Sequence, residues 1–531
     1  MSSPTELLTH AHTEQTRLAT RIALLEEENR WLKQQLFGRS SEQRTADEVS
    51  PDQQRLIFNE AEVLAPAVST VEPFVTIPAH DRKKRGRKAL PTDLPRIEII
   101  HDLPEHEKVC AHATCGVALT VIGQESSEQL DYIPATVRVL KNIRLKYACP
   151  CCQLGVKVAA RPTQLLPKSN ATPSLLAAIV TAKYVDGTPL YRQEAQFKRL
   201  GIDLPRATQA NWIIKLSEAV VPLINLMSDY CVAQPVMHMD ETPLQVLKSH
   251  KAATTTHYMW VQAAGPPGQR LVLFDYDASR GAAVPKRLLQ DFTGLLLTDG
   301  YEAYEAAVVG TSITHAACWA HVRRKFDEAV KAAPNKDSQA KSALDYIGQL
   351  YGVERQLKQL REQRELVSAA DILALRAAHS AAILEQLKTW LNTHADHVLP
   401  QSALGKAIHY TLNQWPKLTV FLNHASLPLD NNRCENAIRP FVIGRKNWLF
   451  CDTQAGATAS ARLYSLIETA KANGLEPHAY LTRLFTELPS ATCLADFEAL
   501  LPWKHQAALS TQQQSSPALA ERRAQENYGV N

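Results

Sequence analysis

Hydrophobic and polar positions recur along this chain in several distinct rhythms. Leu18, Ile22, Leu25, Asn29, Leu32 and Leu36 alternate in steps of four and three. With Leu18 at d, Ile22, Asn29 and Leu36 fall at a, while Leu25 and Leu32 fall at d. That arrangement favours a parallel two-stranded coil whose register is fixed by one asparagine. The seam covers about three heptads, the lower limit for a coiled coil, so a helix packed on its own chain is the alternative. Residues 173–220 carry helical periodicity: an amphipathic segment Leu190–Leu200, a break at Gly201, and a second segment Pro205–Ala219. This predicts a helix-turn-helix-like pair with Arg206, Thr208, Gln209 and Asn211 opening its second helix, a pattern that plain αα-hairpins share. From Val236 the texture turns to strands over Val236–Leu247, His257–Gly265 and Gln269–Asp277, then a helix near Ala283–Gln290, and buried strands at Leu295–Gly300 and Ile313–Trp319. About Val322 to Ala425 reads as almost wholly helical. Leu429–Phe450 opens like a helix, with Asp430, Asn431 or Asn432 as N-cap, and Pro440 is expected to end or kink it near Arg439.

Length and composition sharpen this picture only in places. At 531 residues the chain exceeds one ordinary core, and three or more modules are expected. Apolar and charged contents of 45% and 21% are those of a globular protein, and a net charge of +4 identifies no partner, so local charge matters more. No apolar run approaches the length of a membrane span, and the N-terminus lacks a basic region followed by an apolar core, so a cytoplasmic protein is expected. Ten cysteines then argue for reduced thiols, and for metal where they cluster. Cys110 and Cys115, then Cys149 and Cys152, form two close pairs that suit a structural tetrahedral zinc site. Cys151 is a substitute ligand and His112 a weaker one. Residues 46–80 read as a linker. Arg82, Lys83, Lys84, Arg85, Arg87 and Lys88 follow, around Gly86 and before Pro91 and Pro95. Such a run is either a solvated tail or an extended arm along phosphates or in a minor groove.

Three acids carry the candidate chemistry. Asp240 follows an apolar strand start, Asp299 ends Leu295–Thr298, and Glu435 sits in the first turns of a helix among Asn431, Asn432, Arg433, Arg439, Arg445 and Lys446. Two strand-borne aspartates and a helix-borne glutamate are what a ribonuclease-H-like fold uses to hold two divalent cations for phosphodiester chemistry. Mg²⁺ suits such carboxylates, and Mn²⁺ can substitute. Each acid also has a plainer reading: Asp299-Gly300 as a turn, Glu435–Arg439 as an i,i+4 ion pair. In Cys318-Trp-Ala-His321, metal spacing is present without a second pair nearby. His321, Arg323 and Arg324 then read as a helix start facing phosphate, and Trp448 either stacks on a base or packs inside.

Val236–Thr242, Thr298–Tyr304, Cys318–Phe326 and Leu429–Phe450 together resemble the transposase of the insertion sequence 66 family, the large DDE-type protein of those elements. The basic arm, the YACPCC knuckle, Ala182–Tyr191 and Leu463–Gly474 are similar to it too, so the resemblance spans residues 20–505. Asn436 departs from the family's usual arginine, and Cys151 adds a third thiol. The resemblance implies cleavage and strand transfer at terminal inverted repeats, a catalytic triad of Asp240, Asp299 and Glu435, a helical insertion between the second and third acids, and accessory proteins from the same element. The expected architecture is multidomain α/β. It comprises an N-terminal helix or coiled coil (1–45) pairing two protomers, the linker (46–80), a basic DNA-binding arm (81–106) and a zinc module (107–165). A helix-turn-helix-like DNA-binding region (166–230), the first part of a ribonuclease-H-like core (231–330) and an all-α insertion (331–425) follow. The second core part (426–475) and a C-terminal helical region with tail (476–531) complete it. Candidate DNA contacts are the arm's six basic residues, Arg206, His321, Arg323, Arg324, Arg439, Arg445 and Lys446. A bacterial, nucleoid-associated location follows. The rival functions are a metal-dependent nuclease without strand transfer and a non-catalytic DNA-binding regulator.

The cysteine spacing generates a direct test. Chelation is expected to unfold residues 107–160 while metal analysis of the folded protein finds stoichiometric zinc. Folded protein without zinc would refute the module.

Overall fold

The structure, a computed structural model, describes residues 137–147, 157–160, 162–332, 339–363 and 368–504. The expected coil, linker, basic arm (Arg82–Lys88), the thiols Cys110, Cys115, Cys149, Cys151 and Cys152, and the C-terminal tail lie outside the described residues. The chain divides into two units, Pro66–Ala159 and the remainder. Within the first, β1 (Lys146–Tyr147) and β2 (Lys157–Val158) pair antiparallel, Lys146 opposite Val158. Arg144 Nε extends the ribbon by donating to Ala159 O at 2.7 Å.

The larger unit is organised by β3 (Val236–Lys248), the first of the strands expected from the alternating pattern. β4 (Thr256–Ala264) and β5 (Leu271–Asp277) extend the sheet antiparallel on one side. β6 (Leu295–Thr298) and β7 (Thr314–Ala317) extend it parallel on the other, giving the order β5-β4-β3-β6-β7. A short strand β8 (Cys451–Thr453) pairs only with the far end of β3, at Val246 and Lys248. Because β6 pairs with Val236–His238 alone, β3 has a stretch between these partners with an open side. Some backbone groups there are satisfied by side chains. Met239 O accepts Asn431 Nδ2 at 2.8 Å, and the Glu241 N–H donates to Asp240 Oδ1 at 2.9 Å. Pro243 has no N–H to leave unpaired.

Helices cover both faces. α1 (Pro173–Tyr184), α2 (Leu190–Arg199), α3 (Arg206–Ala219) and α4 (Val221–Val232) precede the sheet, and Leu176, Trp212 and Leu223 share one core with Met239, Val261 and Phe274. The α2–Gly201–α3 hairpin forms as expected, with Gly201 at φ +77° making the turn. Its Gln209 is buried and donates to Leu204 O at 3.0 Å, so it supports the hairpin instead of facing outward. α5 (Ala283–Leu288) and α6 (Glu302–Val308) lie on the side of Trp260 and Gln262, while α7 (Trp319–Ala332) follows β7. The insertion comprises α8 (Gln339–Glu362), α9 (Ala369–Leu375), a π-type turn Arg376–Ser380, α10 (Ala381–Ala395) and α11 (Ala403–Leu418), packed on α7 and β7 around Trp319, Phe326, Leu387 and Ile408. α12 (Asn432–Trp448) returns to β3 and β4, and α13 (Gln454–Ala472), α14 (Pro477–Glu487) and α15 (Leu494–Ala499) close the unit. α12 runs unbroken past Pro440, against expectation: packing of Phe441, Val442 and Ile438 outweighs the one hydrogen bond a proline removes.

Two polar devices hold this arrangement. The outer edge of β5 is covered by α13, whose Ser465, Thr469 and Asn473 accept the N–H groups of Phe274, Val272 and Arg270 at 2.8, 3.0 and 3.0 Å. Thr469 and Asn473 also donate back to Val272 O and Arg270 O at 2.9 and 2.7 Å. Four helical residues rise about 6 Å and two strand residues about 6.6 Å, so the two spacings match. In the insertion, buried Arg376 spends all five guanidinium protons. Nε and NH2 meet the two Glu354 oxygens at 2.8 Å each, and NH1 and NH2 bond the carbonyls of Phe421, His424 and Leu427.

Arg376 therefore shapes the loop that leads back to α12. Arg376→Met is expected to lower stability by about 3 kcal/mol, since Glu354 and three carbonyls lose their donor. Urea denaturation checks the size, and hydrogen exchange should rise in residues 419–430; a shift under about 0.5 kcal/mol would refute the role.

Candidate active site

The elements that carry the acids gather at the open side of β3. Asp240 lies on that stretch, Asp299 leaves the end of β6 beside it, and Glu435 comes from the first turn of α12. The Asp240 carboxyl is pushed well above its ordinary range, first by burial and then by the negative charges of Glu241, Asp299 and Glu435. All three acids singled out from sequence are thus neighbours. Asp299 is held by its own turn: Oδ1 accepts the Tyr301 N–H at 3.0 Å, and Thr298 Oγ1 bridges Asp299 O and His315 Nε2 at 2.8 Å each. Glu435 is fixed through Asn431, whose carbonyl accepts its N–H at 3.1 Å. Asn431 is the N-cap by position, but its side chain does no capping. It gives Nδ2 to Met239 O, faces His238 Nδ1 with Oδ1 at 3.0 Å, and sends its N–H to Cys318 Sγ at 3.2 Å.

A fourth acid, Glu241, was not singled out by the sequence reading. It is fully buried, with Oε1 accepting Arg280 Nε and NH2 at 2.9 and 2.6 Å and Oε2 accepting Tyr304 Oη at 2.5 Å. Burial and the Asp299 charge push its carboxyl up to about 7 against the pull of Arg280 and Tyr304. Arg280 also lies 3.9 Å from the centre of the Tyr301 ring. The available signal was its adjacency to Asp240 and the placing of Tyr301 and Tyr304 just after Asp299. Gly300 matters for space: a Cβ there would come 2.7 Å from Tyr410 Oη, so the insertion reaches the edge of the site.

The whole chain can now be set beside known proteins. The model of the family described as "Transposase IS66 family" matches residues 168–459, which includes all three acids and the insertion. The chain belongs to this family. Further matches are to the "Transposase C of IS166 homeodomain" (24–99), the "zinc-finger binding domain of transposase IS66" (107–153) and the "IS66 C-terminal element" (465–503). Similar proteins from Sinorhizobium fredii (strain NBRC 101917 / NGR234) are the uncharacterized protein y4jD, 32% identical over 92% of this chain and 96% of its own, and the uncharacterized protein y4qI, 32% identical over 86% and 84%.

This transposase places His321 and Arg324 beside Glu435. His321 Nδ1 stands 3.8 Å from Glu435 Oε1, and Arg324 NH2 stands 3.9 Å from Oε2. His321 Nδ1, Arg324 NH1 and Glu435 Oε1 are buried without a hydrogen-bond partner among the described residues. A carboxylate oxygen left unpaired beside crowded carboxylates fits a divalent cation. The ligand atoms of Cys318, His321 and Glu435 also lie within 4.8 Å of one another. Cys318, however, already accepts backbone N–H groups from Asn431 and His321, and burial holds its thiol well above the usual range, so it serves as a junction cap. Of the remaining candidates, Arg445 NH1 reaches Thr242 Oγ1 at 3.3 Å, Arg323 and Arg439 are half-buried, and Lys446 and Arg206 are exposed. Trp448 packs inward, edge-on to Phe441 and under Lys183. Among the described residues no helix is long and apolar enough to cross a membrane.

Raised carboxyl pKa values penalise the charged forms, so Glu241 costs the metal-free fold stability as pH climbs from 4.5 towards about 7. Asp240→Asn relieves the same crowding and is expected to raise the thermal midpoint in EDTA at pH 8 by a few degrees, worth about 1 kcal/mol. An unchanged or lower midpoint would count against it.

Proposed function

We propose that this transposase cuts DNA at the terminal inverted repeats of its element and joins the freed 3′ ends to target DNA, with Asp240, Asp299 and Glu435 as its catalytic acids. The observation that carries this is that Asp240 on β3 lies within charge range of Asp299, at the end of neighbouring β6, and of Glu435, in the first turn of α12. The strand order, with β3 central, β4 and β5 antiparallel and β6 and β7 parallel, supports a ribonuclease-H-like core, and the helical insertion falls between the second and third acids. The three acids would hold two Mg²⁺ ions, which supply charge stabilisation and an activated oxygen nucleophile.

The chain's own groups have separate tasks. Glu241, locked by Arg280 and Tyr304, keeps the Asp240 stretch of β3 rigid. Arg324 and His321, left without full partners beside Glu435, bind the non-bridging oxygens of the scissile phosphate. Arg439, Arg445 and Lys446 on α12, Arg323 on α7, Arg206 on α3 and the arm Arg82–Lys88 bind phosphates outside the cut. Cys110, Cys115, Cys149 and Cys152 hold a structural zinc, and the heptad at residues 18–36 pairs two protomers so that both ends are processed together.

Asp240→Asn, Asp299→Asn and Glu435→Gln are each expected to lower Mg²⁺-dependent cleavage of end DNA about 10³-fold or more, because each removes several kcal/mol of transition-state stabilisation. Gel-shift affinity for the same duplex should stay within about threefold, which shows that the variants fold. Retained cleavage in any variant sinks the triad. Pre-cleaved ends that are never joined to target DNA would reduce the protein to a nuclease.

A further inference from the structure

Helix α12 ends in an unusual way. Leu449 sits at φ +63° and ψ −53°, and the Phe450 N–H bonds back to Trp448 O at 2.8 Å. This is a γ-turn of the rare, strained hand, held by a leucine where glycine would be free of strain. Apolar side chains stand outward here: Leu449 is 63% exposed at the turn and Phe450 41%, and Ile443, about two turns earlier on the helix, is 52% exposed. A soluble protein does not ordinarily combine backbone strain with exposed leucine and phenylalanine unless the display serves contact.

The surroundings say which contact. Lys446 is exposed between Ile443 and Phe450, Arg445 lies beside it, and from Asn436 to Phe450 the helix carries no carboxylate. An apolar knuckle on a helix segment that carries basic side chains and no carboxylate complements a polyanion with apolar interior faces, which is stacked DNA; the next acid along the chain, Asp452, is paired with Lys248 at 2.9 Å. The knuckle also lies on the helix that bears Glu435, fourteen residues on. At 1.5 Å per residue that is about 21 Å, or about six base steps.

We propose that Leu449 and Phe450 form a wedge that enters a base step of the bound duplex, within about six steps of the cut, and unstacks it so that the strand bends towards Glu435. The proposal rests on the DNA-cleaving reading above. In it, Leu449 and Phe450 act as positioning residues, since they meet the DNA away from the reacting phosphate.

The test uses the full-length protein and duplexes of the repeat flanking its own gene, each with one adenine replaced by 2-aminopurine, in Ca²⁺. With the unaltered protein, emission is expected to rise about threefold or more at one step or two adjacent ones, as it does when a base leaves the stack. Leu449→Gly removes the wedge while easing the turn, so misfolding does not confound it, and Phe450→Ala removes the second ring. Both should return emission to the level of free duplex. Glu435→Gln should keep the emission rise while losing cleavage, so failure of the acid assignment and failure of the wedge are read separately. A rise unaltered in both knuckle variants overturns the proposal. So does the lack of a rise at every position despite binding, or a dimer that Leu449→Gly converts to monomer without DNA, which would place a second copy of this chain on the patch.

Discussion

The side chain of Asn431 is the joint on which the site depends. It ties α12 to β3 through Met239 and His238, residues almost two hundred positions earlier, and its backbone ties α12 to Cys318 at the start of α7. Each bond is worth about 1 kcal/mol net, but leaving any of these buried groups unpaired would cost more. That asymmetry makes the joint specific. Burial keeps His238 neutral by lowering its pKa to about 4, so the imidazole can remain a partner of the amide at working pH. Once Asn431 is docked, Glu435 follows one helical turn later and has no other place to go than the open side of β3. The long insertion is tolerated because its return loop is itself clamped, by Arg376, before the chain reaches Asn431.

The electrostatics at this joint work against the fold. Four carboxylates from three elements act on one another by charge; Asp240 and Asp299 each accept one backbone N–H, and among the four only Glu241 has a close basic side chain, Arg280, with Tyr304 as a second donor. Arg324 offsets the remaining charge loosely, and it and His321 stand from Glu435 at distances too long for hydrogen bonds. Under the proposed function, cations and a phosphate would supply the missing compensation. The neighbouring polar joints supply the rigidity that the acids cannot.

Much of this was legible in the chain, and the rest was hidden for identifiable reasons. The strands β3 to β7 could be read because their apolar residues face a core in period two or in short buried runs. Asp240 and Asp299 stood out because each interrupts such a run. Glu241 was overlooked because an acid next to an acid on a strand reads as the solvated partner, while its actual partner, Arg280, sits in a loop with no periodicity. Asn431 matched the N-cap rule, yet the rule concerns local bonds, and here tertiary bonds took the side chain. Pro440 marked a helix end locally and was overruled by packing. β8 is three residues long, too short to leave a pattern. The cysteine pairs were legible as a motif, and the zinc-finger family model covers the same stretch; the coil and arm lie outside the described residues, and the model matching 24–99 carries another description.

The ladder of Ser465, Thr469 and Asn473 along β5 has a consequence for assembly. An uncovered edge strand offers its amides to any other chain, and many proteins associate by adding strand to strand. Here a helix of the same chain occupies those amides at each alternate residue. Two copies of this chain therefore cannot join by extending this edge of the sheet. Any pairing must be written elsewhere, in side chains, which leaves its specificity free to vary from one element to another while the catalytic sheet stays the same.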